Sequence, residues 1–329
     1  MSGPAPGLRC AVVLCTYNGA RFLPQQLESL RAQTVQPAQY VLSDDASSDD
    51  TWAMLQAFAS ERMAAGCEVI LHRNEDNLGY VRHFEQALQR ADAEVLLPCD
   101  QDDVWHPGKI ARMAEVFAAR PGLLMLHADA RLVDGEGKPS GRGLFEVLEV
   151  TADEMQAMHE GRAFDVLLRR NIVTGAVMAL RRRLLEGAFP VGDGWAHDEW
   201  LAMLAAMQGE ADTLDEAWVD YRQHGGNQIG VRERSAVQKH LGIGVGRREF
   251  LRRLVGRQES LLAHLQSQGV GDERLGEVRD RLAHARLRAG LDSKGWARLR
   301  DVMAEWRTGR YARYGSGWRS VMSDWLGLD

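Results

Sequence analysis

The chain has 329 residues, of which 45% are apolar and 26% charged; that is ordinary globular composition, with enough apolar material for one large domain or two modest ones. The net charge of −6 argues against a nucleic-acid binder, and no apolar run approaches the roughly 18 residues of a membrane span. The charge is unevenly placed. Residues 231–329 hold 20 of the 40 basic side chains and 12 of the 46 acidic ones, a balance of +8, so the preceding 230 residues stand at −14. An acidic body and a basic tail suggest two modules with different partners. Four cysteines, Cys10, Cys15, Cys67 and Cys99, form no CxxC pair. They read as reduced thiols of a cytosolic protein, and no basic-then-apolar leader opens the chain.

In chain order, residues 9–15 are a continuous apolar run, the pattern of a strand buried in a parallel sheet. Thr16-Tyr17-Asn18-Gly19 turns the chain into a helix over about 21–33. Residues 39–42 read as a second strand, and Ser48 or Asp49 can cap the helix that carries Trp52, Leu55 and Phe58. A third strand over 68–71, a loop over 74–79 and a helix marked by Phe84 and Leu88 lead to a fourth strand at 95–97. Such alternation with short connections predicts a doubly wound α/β sheet, mostly parallel and flanked by helices. Later elements are less regular: strands over 123–127, 172–180 and 217–221, a Gly-rich loop over 134–143, and a helix from about 196 to 207. From about 232 onward the composition is helical. The expected division is an α/β catalytic domain over 1–230 and a basic helical region over 231–329.

The fourth strand ends in Asp100, Asp102 and Asp103, three carboxylates within four residues. Crowding anions at a strand end is costly unless a cation or a donor-rich ligand neutralises them. The group therefore suits a hard divalent cation, Mg²⁺ or Mn²⁺, which takes oxygen ligands and shares its shell with phosphates; a solvated acidic turn is the plain alternative. Ligands of doubly wound sheets bind beyond the carboxyl ends of the strands. Thr16 to Asn18, Asp44-Asp45 and Asp100 to Asp103 all fall there and should converge on one crevice. The first turn carries a lone Gly19, not a GxGxxG fingerprint, so a dinucleotide-binding reading is weak.

Seven segments together resemble the family 2 glycosyltransferases of GT-A fold, in particular the bacterial rhamnosyltransferase-like members: 11–34, VLSDDASSDDT (41–51), NLGYVRHFEQAL (77–88), CDQDDVWHPGKI (99–110), NIVTGAVMAL (171–180), AHDEWLA (196–202) and YRQHGGNQIG (221–230). The resemblance covers about residues 9–230. It implies that Thr16, Tyr17, Asn18 and Asp45 hold the base and ribose of a nucleotide-sugar, with Asp45 accepting a uracil or thymine N3–H. Asn77, Gly79 and Arg82 would lie in the loop that closes on the nucleotide. Asp103 would be the direct metal ligand, with Asp100 and Asp102 on ribose, sugar or metal-bound water, and His224 on metal or diphosphate. Asp198 would be the general base of an inverting displacement, with Glu199 as its rival. Thr174 and Gly175 would line the junction of donor sugar and acceptor, and Trp200 would stack on the acceptor sugar or pack in the core.

The implied activity is metal-dependent inverting transfer of a sugar, favoured as L-rhamnose from its dTDP form, to a hydroxyl of a surface-polysaccharide acceptor. A nucleotidyltransferase and a non-catalytic glycan-binding or scaffold protein are the rival classes. The tail interleaves Lys294, Arg298, Arg300, Arg307, Arg310, Arg313 and Arg319 with Trp296, Trp306, Tyr311, Tyr314 and Trp318, a composition suited to a membrane interface. Peripheral docking at the inner face of the cytoplasmic membrane, near a lipid-linked acceptor, is one expectation. Packing on the catalytic domain or a homodimer surface is the other, and nucleic acid is not an expected partner.

Overall fold

The structure, a computed structural model, describes residues 8–225, 247–291 and 295–327; the last residues of the YRQHGGNQIG segment and Lys294 lie outside them. The strands are β1 (Cys10–Thr16), β2 (Gln39–Asp44), β3 (Glu68–Arg73), β4 (Val95–Cys99), β5 (Val104–Trp105), β6 (Met125–Val133), β7 (Pro139–Gly143), β8 (Met178–Arg181) and β9 (Ala211–Arg222). They form one sheet in the order β3-β2-β1-β4-β8-β6-β9-β5, with β7 paired to β6. The helices between them are α1 (Leu23–Arg31), α2 (Thr51–Ala64), α3 (Tyr80–Arg90), α4 (Lys109–Ala119), α5 (Leu144–Val147), α6 (Ala152–His159), α7 (Ala163–Arg169) and α8 (His197–Met207). Two compact units result. One comprises residues 1–164, 172–191 and 196–231, the other 165–171, 192–195 and 232–329.

The early strands follow their hydrophobic pattern closely. All residues of β1, β2 and β4 are buried, because each lies between two neighbours inside the sheet. The outer strand β3 begins and ends on exposed Glu68 and Arg73, the charged marking that discourages further pairing at an edge. Strand pairs β1–β2, β2–β3 and β1–β4 are parallel, as the alternation requires. The rest of the sheet is mixed. β8 runs antiparallel between β4 and β6, β5 runs antiparallel to β9, and β6 and β9 are parallel.

Several expected boundaries shift. Residues 172–174 are not strand; Gly175–Val177 is a 3₁₀ turn, and pairing starts at Met178. The Gly-rich segment 134–143 contains β7, and the strands expected at 123–127 and 217–221 extend to Val133 and back to Ala211. Asp49 accepts the Thr51 N–H at 3.1 Å, the first amide of α2, which satisfies one of the amides left unpaired at a helix start.

In the helical unit, α9 (Arg247–Ser267), α10 (Asp272–Ala289), α11 (Gly295–Arg307), α12 (Arg310–Tyr314) and α13 (Trp318–Leu326) follow one another. Polar side chains are buried and paired there. His284 Nδ1 lies 2.6 Å from Glu305 Oε1, the Tyr311 hydroxyl donates to Asp324 Oδ2 at 2.7 Å, and Arg288 Nε donates to the same oxygen. Tyr311 and Asp324 are each 1% exposed, so a lost donor would not be replaced by water. Tyr311→Phe is expected to lower the stability of the helical unit by about 1–2 kcal/mol in urea unfolding.

Candidate active site at the carboxyl ends of the strands

Gln101 joins the ends of β1 and β4. Its side-chain carbonyl accepts the Tyr17 N–H at 2.8 Å and its amide donates to the Tyr17 carbonyl at 3.0 Å. An added Cβ at Gly19 would stand 2.1 Å from Gln101 Oε1, so a side chain there would force this clasp open. Asn18 adopts a left-handed φ of 47°, a conformation asparagine tolerates better than most residues. Its N–H donates to Ser47 and its side-chain carbonyl accepts the Ser48 N–H, both at 2.8 Å. Thr16 Oγ1 donates to the buried Asp44 at 3.0 Å. The turns after β1, β2 and β4 are thus tied side by side, with Tyr17 exposed.

Asp45 is used differently from the expectation. It is 1% exposed. Its Oδ1 accepts from Asn74 at 2.7 Å and Leu78 N at 3.0 Å, and its Oδ2 accepts Gly79 N at 3.0 Å. The carboxylate anchors the 74–79 loop, so it does not stand open to a nucleobase N3–H here. Gly79 carries the φ of 77° that lets the loop enter α3. Asn77 and Arg82 are exposed, and Arg82 makes no hydrogen bond or ion pair among the described residues.

The three carboxylates after β4 divide by environment. Asp100 is pushed up to about 7 by burial first, and then by Asp102 and Asp198. Asp102 is half-buried, with Oδ2 2.8 Å from His224 Nε2. His224 in turn stacks on Phe22, ring centroids 4.5 Å apart. Asp103 is fully enclosed; its Oδ1 accepts the Arg222 N–H at 3.0 Å and its Oδ2 has no hydrogen-bond partner. Burial, then Asp102 and Asp100, raise its pKa well above the carboxylate range. Beneath this group lies Lys109, also fully buried. Its ammonium donates to the Ala176 carbonyl at 3.0 Å and sits 3.5 Å from the centre of the Trp105 ring. Burial lowers its pKa to about 7, opposed by the charges of Cys99, Asp103 and Asp100. Arg222 spans the other side, donating to the Asp102 carbonyl at 2.7 Å and lying over Phe22.

Asp198, in the first turn of α8, accepts the Gly175 N–H at 2.7 Å through Oδ2 and the Glu199 N–H at 2.8 Å through Oδ1. Gly175 adjoins Ala176, the residue that Lys109 holds, so the base candidate and the acidic turn share one support. Burial and then Asp103, Asp100, Asp102 and Asp198 all raise the pKa of Tyr221, so the four carboxylates lie within electrostatic reach of one hydroxyl. An added Cβ at Gly175 would lie 3.3 Å from Asp198 Oδ2 and 3.4 Å from His197 Nε2. Thr174 and Glu199 are half-buried beside this turn. Trp200 is not an acceptor platform: it is 0% exposed and its indole N–H donates to the Ala188 carbonyl at 2.7 Å. An i+2 offset from Asp198 on a helix turns it into the core.

The donor set can be tested against a divalent cation. Among the described residues no group of three or more His, Cys, Asp or Glu is arranged to hold a metal ion. Asp102 and His224 are the pair that fits, with side chains 14% and 16% exposed and an oxygen and a nitrogen donor converging; Mn²⁺ accepts such a set, and Mg²⁺ commonly takes few protein ligands plus phosphate oxygens. Asp103, the expected direct ligand, is sealed from solvent; its Oδ1 is taken by the Arg222 N–H and its Oδ2 alone is left without a hydrogen-bond partner. Gln101, Lys109, Arg222 and Phe22 were not singled out from the sequence. Lys109 and Arg222 stood inside the motif segments, but nothing in their spacing marks a buried cation.

A parallel-to-mixed sheet flanked by helices, with the acidic turn and the Asp198 helix at the strand ends, defines a GT-A-type protein. The profile described as "Glycosyl transferase family 2" matches residues 11–187, more than half of the chain, and the chain belongs to that family. It is 29% identical over 231 residues to an uncharacterized glycosyltransferase of Nostoc sp., covering 67% of this chain and 66% of that protein. It spans half or less of the other curated relatives it matches. Among solved structures, TarS 1–349 of S. aureus in complex with UDP-GlcNAc aligns with TM-score 0.54 at 19% identity, over 98% of this chain and 93% of that one. The mannosyltransferase PcManGT of Pyrobaculum calidifontis, in complex with GDP-Man and Mn²⁺, aligns with TM-score 0.51 at 18% identity, over 98% and 85%. At such identities these likenesses establish the fold.

Removing the buried cation should unbalance the acidic turn. Lys109→Met is expected to destabilise the α/β unit by about 3 kcal/mol in chemical denaturation. Trp200→Phe, which keeps most of the buried volume, should cost about 1–2 kcal/mol through the orphaned Ala188 carbonyl.

Proposed function

We propose that the chain transfers a sugar from a nucleoside-diphosphate donor to a hydroxyl of a glycan, with inversion at the anomeric carbon. The observation that carries this reading is the convergence of Asp100, Asp102, Asp103 and Asp198 at the ends of the strands, where the last is set on its own helix. Inverting transfer is one displacement. The acceptor oxygen attacks the anomeric carbon, its proton passes to the Asp198 carboxylate, and the bond to the diphosphate breaks on the opposite face of the sugar. The Gly175 and Glu199 amides hold that carboxylate in one orientation, which supports the positioning such a step needs. The exposed Tyr17 turn and Asp100 are suited to the nucleoside and sugar.

In this reading Asp102 and His224, not Asp103, hold Mg²⁺ or Mn²⁺. A bound divalent ion would offset the charge that develops on the departing diphosphate. Asp103 and Lys109 act from behind, as support for the turn. The DQDDVW and YRQHG segments favour L-rhamnose from dTDP-rhamnose as donor. A surface glycan on a lipid carrier is the acceptor we favour, given the basic, tryptophan-rich C-terminal unit. The same composition favours a site of action at the inner face of a membrane.

A thermal-shift panel of UDP, dTDP and GDP, with and without Mn²⁺ or Mg²⁺, tests the donor side. Stabilisation should require nucleotide and metal together, reaching roughly 2.7 kcal/mol at about 100 times Kd. It should vanish in Asp102→Asn and persist in Asp103→Asn; the reverse pattern would return the metal to Asp103. Asp198→Asn should keep nucleotide binding and lose transfer, and retained turnover in that variant would sink the proposed base. Gly175→Ala should lower kcat on the order of a hundredfold by displacing Asp198, with little change in donor KM.

A further inference from the structure

Helix α13 turns its larger apolar side chains outward. Trp318, Met322 and Trp325 follow one another at i, i+4 and i+7, with Leu326 next to the last, so they share one face. They are 65%, 37%, 40% and 57% exposed, whereas Val321 and Asp324 are buried at 5% and 1%. A row of this kind is not what a solvated helix carries, and contiguous exposed apolar surface marks an interaction site. Trp296, 85% exposed at the start of α11, belongs to the same end of the unit, because Arg298 Nε donates to the Asp324 carbonyl near the end of α13.

The charge around the row has one sign. Residues 295–327 contain six arginines and three acidic residues. Of the acids, Glu305 and Asp324 are buried, and Asp301 is bonded to Arg300. Arg307 and Arg319 are exposed and make no hydrogen bond or ion pair among the described residues. A second copy docked through this same face would bring these unpaired cations against their like. An anionic surface would neutralise them.

We propose that the Trp318–Met322–Trp325 face of α13, with Trp296 and Arg319, rests on an anionic lipid bilayer. Among the described residues no helix is long and apolar enough to cross a membrane, so the contact is with the headgroup layer: indole rings at the boundary and guanidinium groups on the phosphates. The inference gives a place to the lipid-linked acceptor reading above. Its readout is binding alone, so it stands or fails independently of donor, metal and turnover.

The test is flotation of the full chain with vesicles of phosphatidylglycerol and phosphatidylcholine, against vesicles of phosphatidylcholine alone. The chain should float with the anionic vesicles, its tryptophan emission should move to shorter wavelength, and added salt should release it. Combined Trp318→Ser, Met322→Ser and Trp325→Ser should reduce flotation to the phosphatidylcholine level with an unchanged circular dichroism spectrum. Arg319→Gln, which touches no buried contact, should lower partitioning about fivefold. Three results would overturn the proposal: no difference between the two vesicle types, undiminished flotation of the triple variant, or a sedimenting dimer that the triple variant dissociates.

Discussion

Burying Lys109 near the carboxylates of Asp100 and Asp103 is the constraint on which the rest of the site depends. An ammonium removed from water is unfavourable, and so is each carboxylate at the end of β4. Together they partly cancel: the Lys109 charge opposes the upward push on both Asp100 and Asp103. The same ammonium has a second attachment, the Ala176 carbonyl. Through the neighbouring Gly175 amide it therefore bears on Asp198 as well. One cation at the start of α4 sets the acidic turn and the helix of the base candidate in a fixed relation.

Polar groups around the crevice fall into those consumed by the scaffold and those left facing it. Asp44 and Asp45 are consumed: their oxygens accept from backbone amides, hydroxyls and side chains of the neighbouring loops, away from solvent, and Asp103 gives one oxygen to the Arg222 amide. Asp102 and His224 face outward as a pair, braced by Phe22 and Arg222 behind them. Consecutive acidic residues thus differ: in the turn between β4 and β5, Asp102 pairs with His224 while Asp103 is drawn to the Arg222 amide.

Much of this was legible in the chain itself. Apolar runs bounded by turn residues located the first four strands, and topology alone put Thr16 to Asn18, Asp45 and the acidic turn at equivalent ends. What pattern could not convey was direction. Asp103 was assigned to the metal because it closes the motif, but its neighbour Arg222, distant in sequence, draws it inward. Trp200 has the composition of a sugar platform, and only its position in the first turns of α8 shows that it faces the core. The segment 172–180 reads as strand by β-branched content, whereas the approach of Asp198 to the Gly175 amide bends it into a 3₁₀ turn. For Trp200 the core reading, one of the two expected, holds; the bend at Gly175 and the setting of Asp103 involve contacts between residues far apart in the chain, which periodicity does not record.

The helical unit is not a simple appendage of the chain's last hundred residues. It takes in residues 165–171 and 192–195, where Arg281 Nε donates to the Leu168 carbonyl and Trp195 Nε1 donates to the Arg257 carbonyl. The polypeptide thus enters this unit twice before it finally stays there. During synthesis, two short pieces must wait for partners made much later, and a protein cut at residue 231 would leave a tryptophan and a helix end bare.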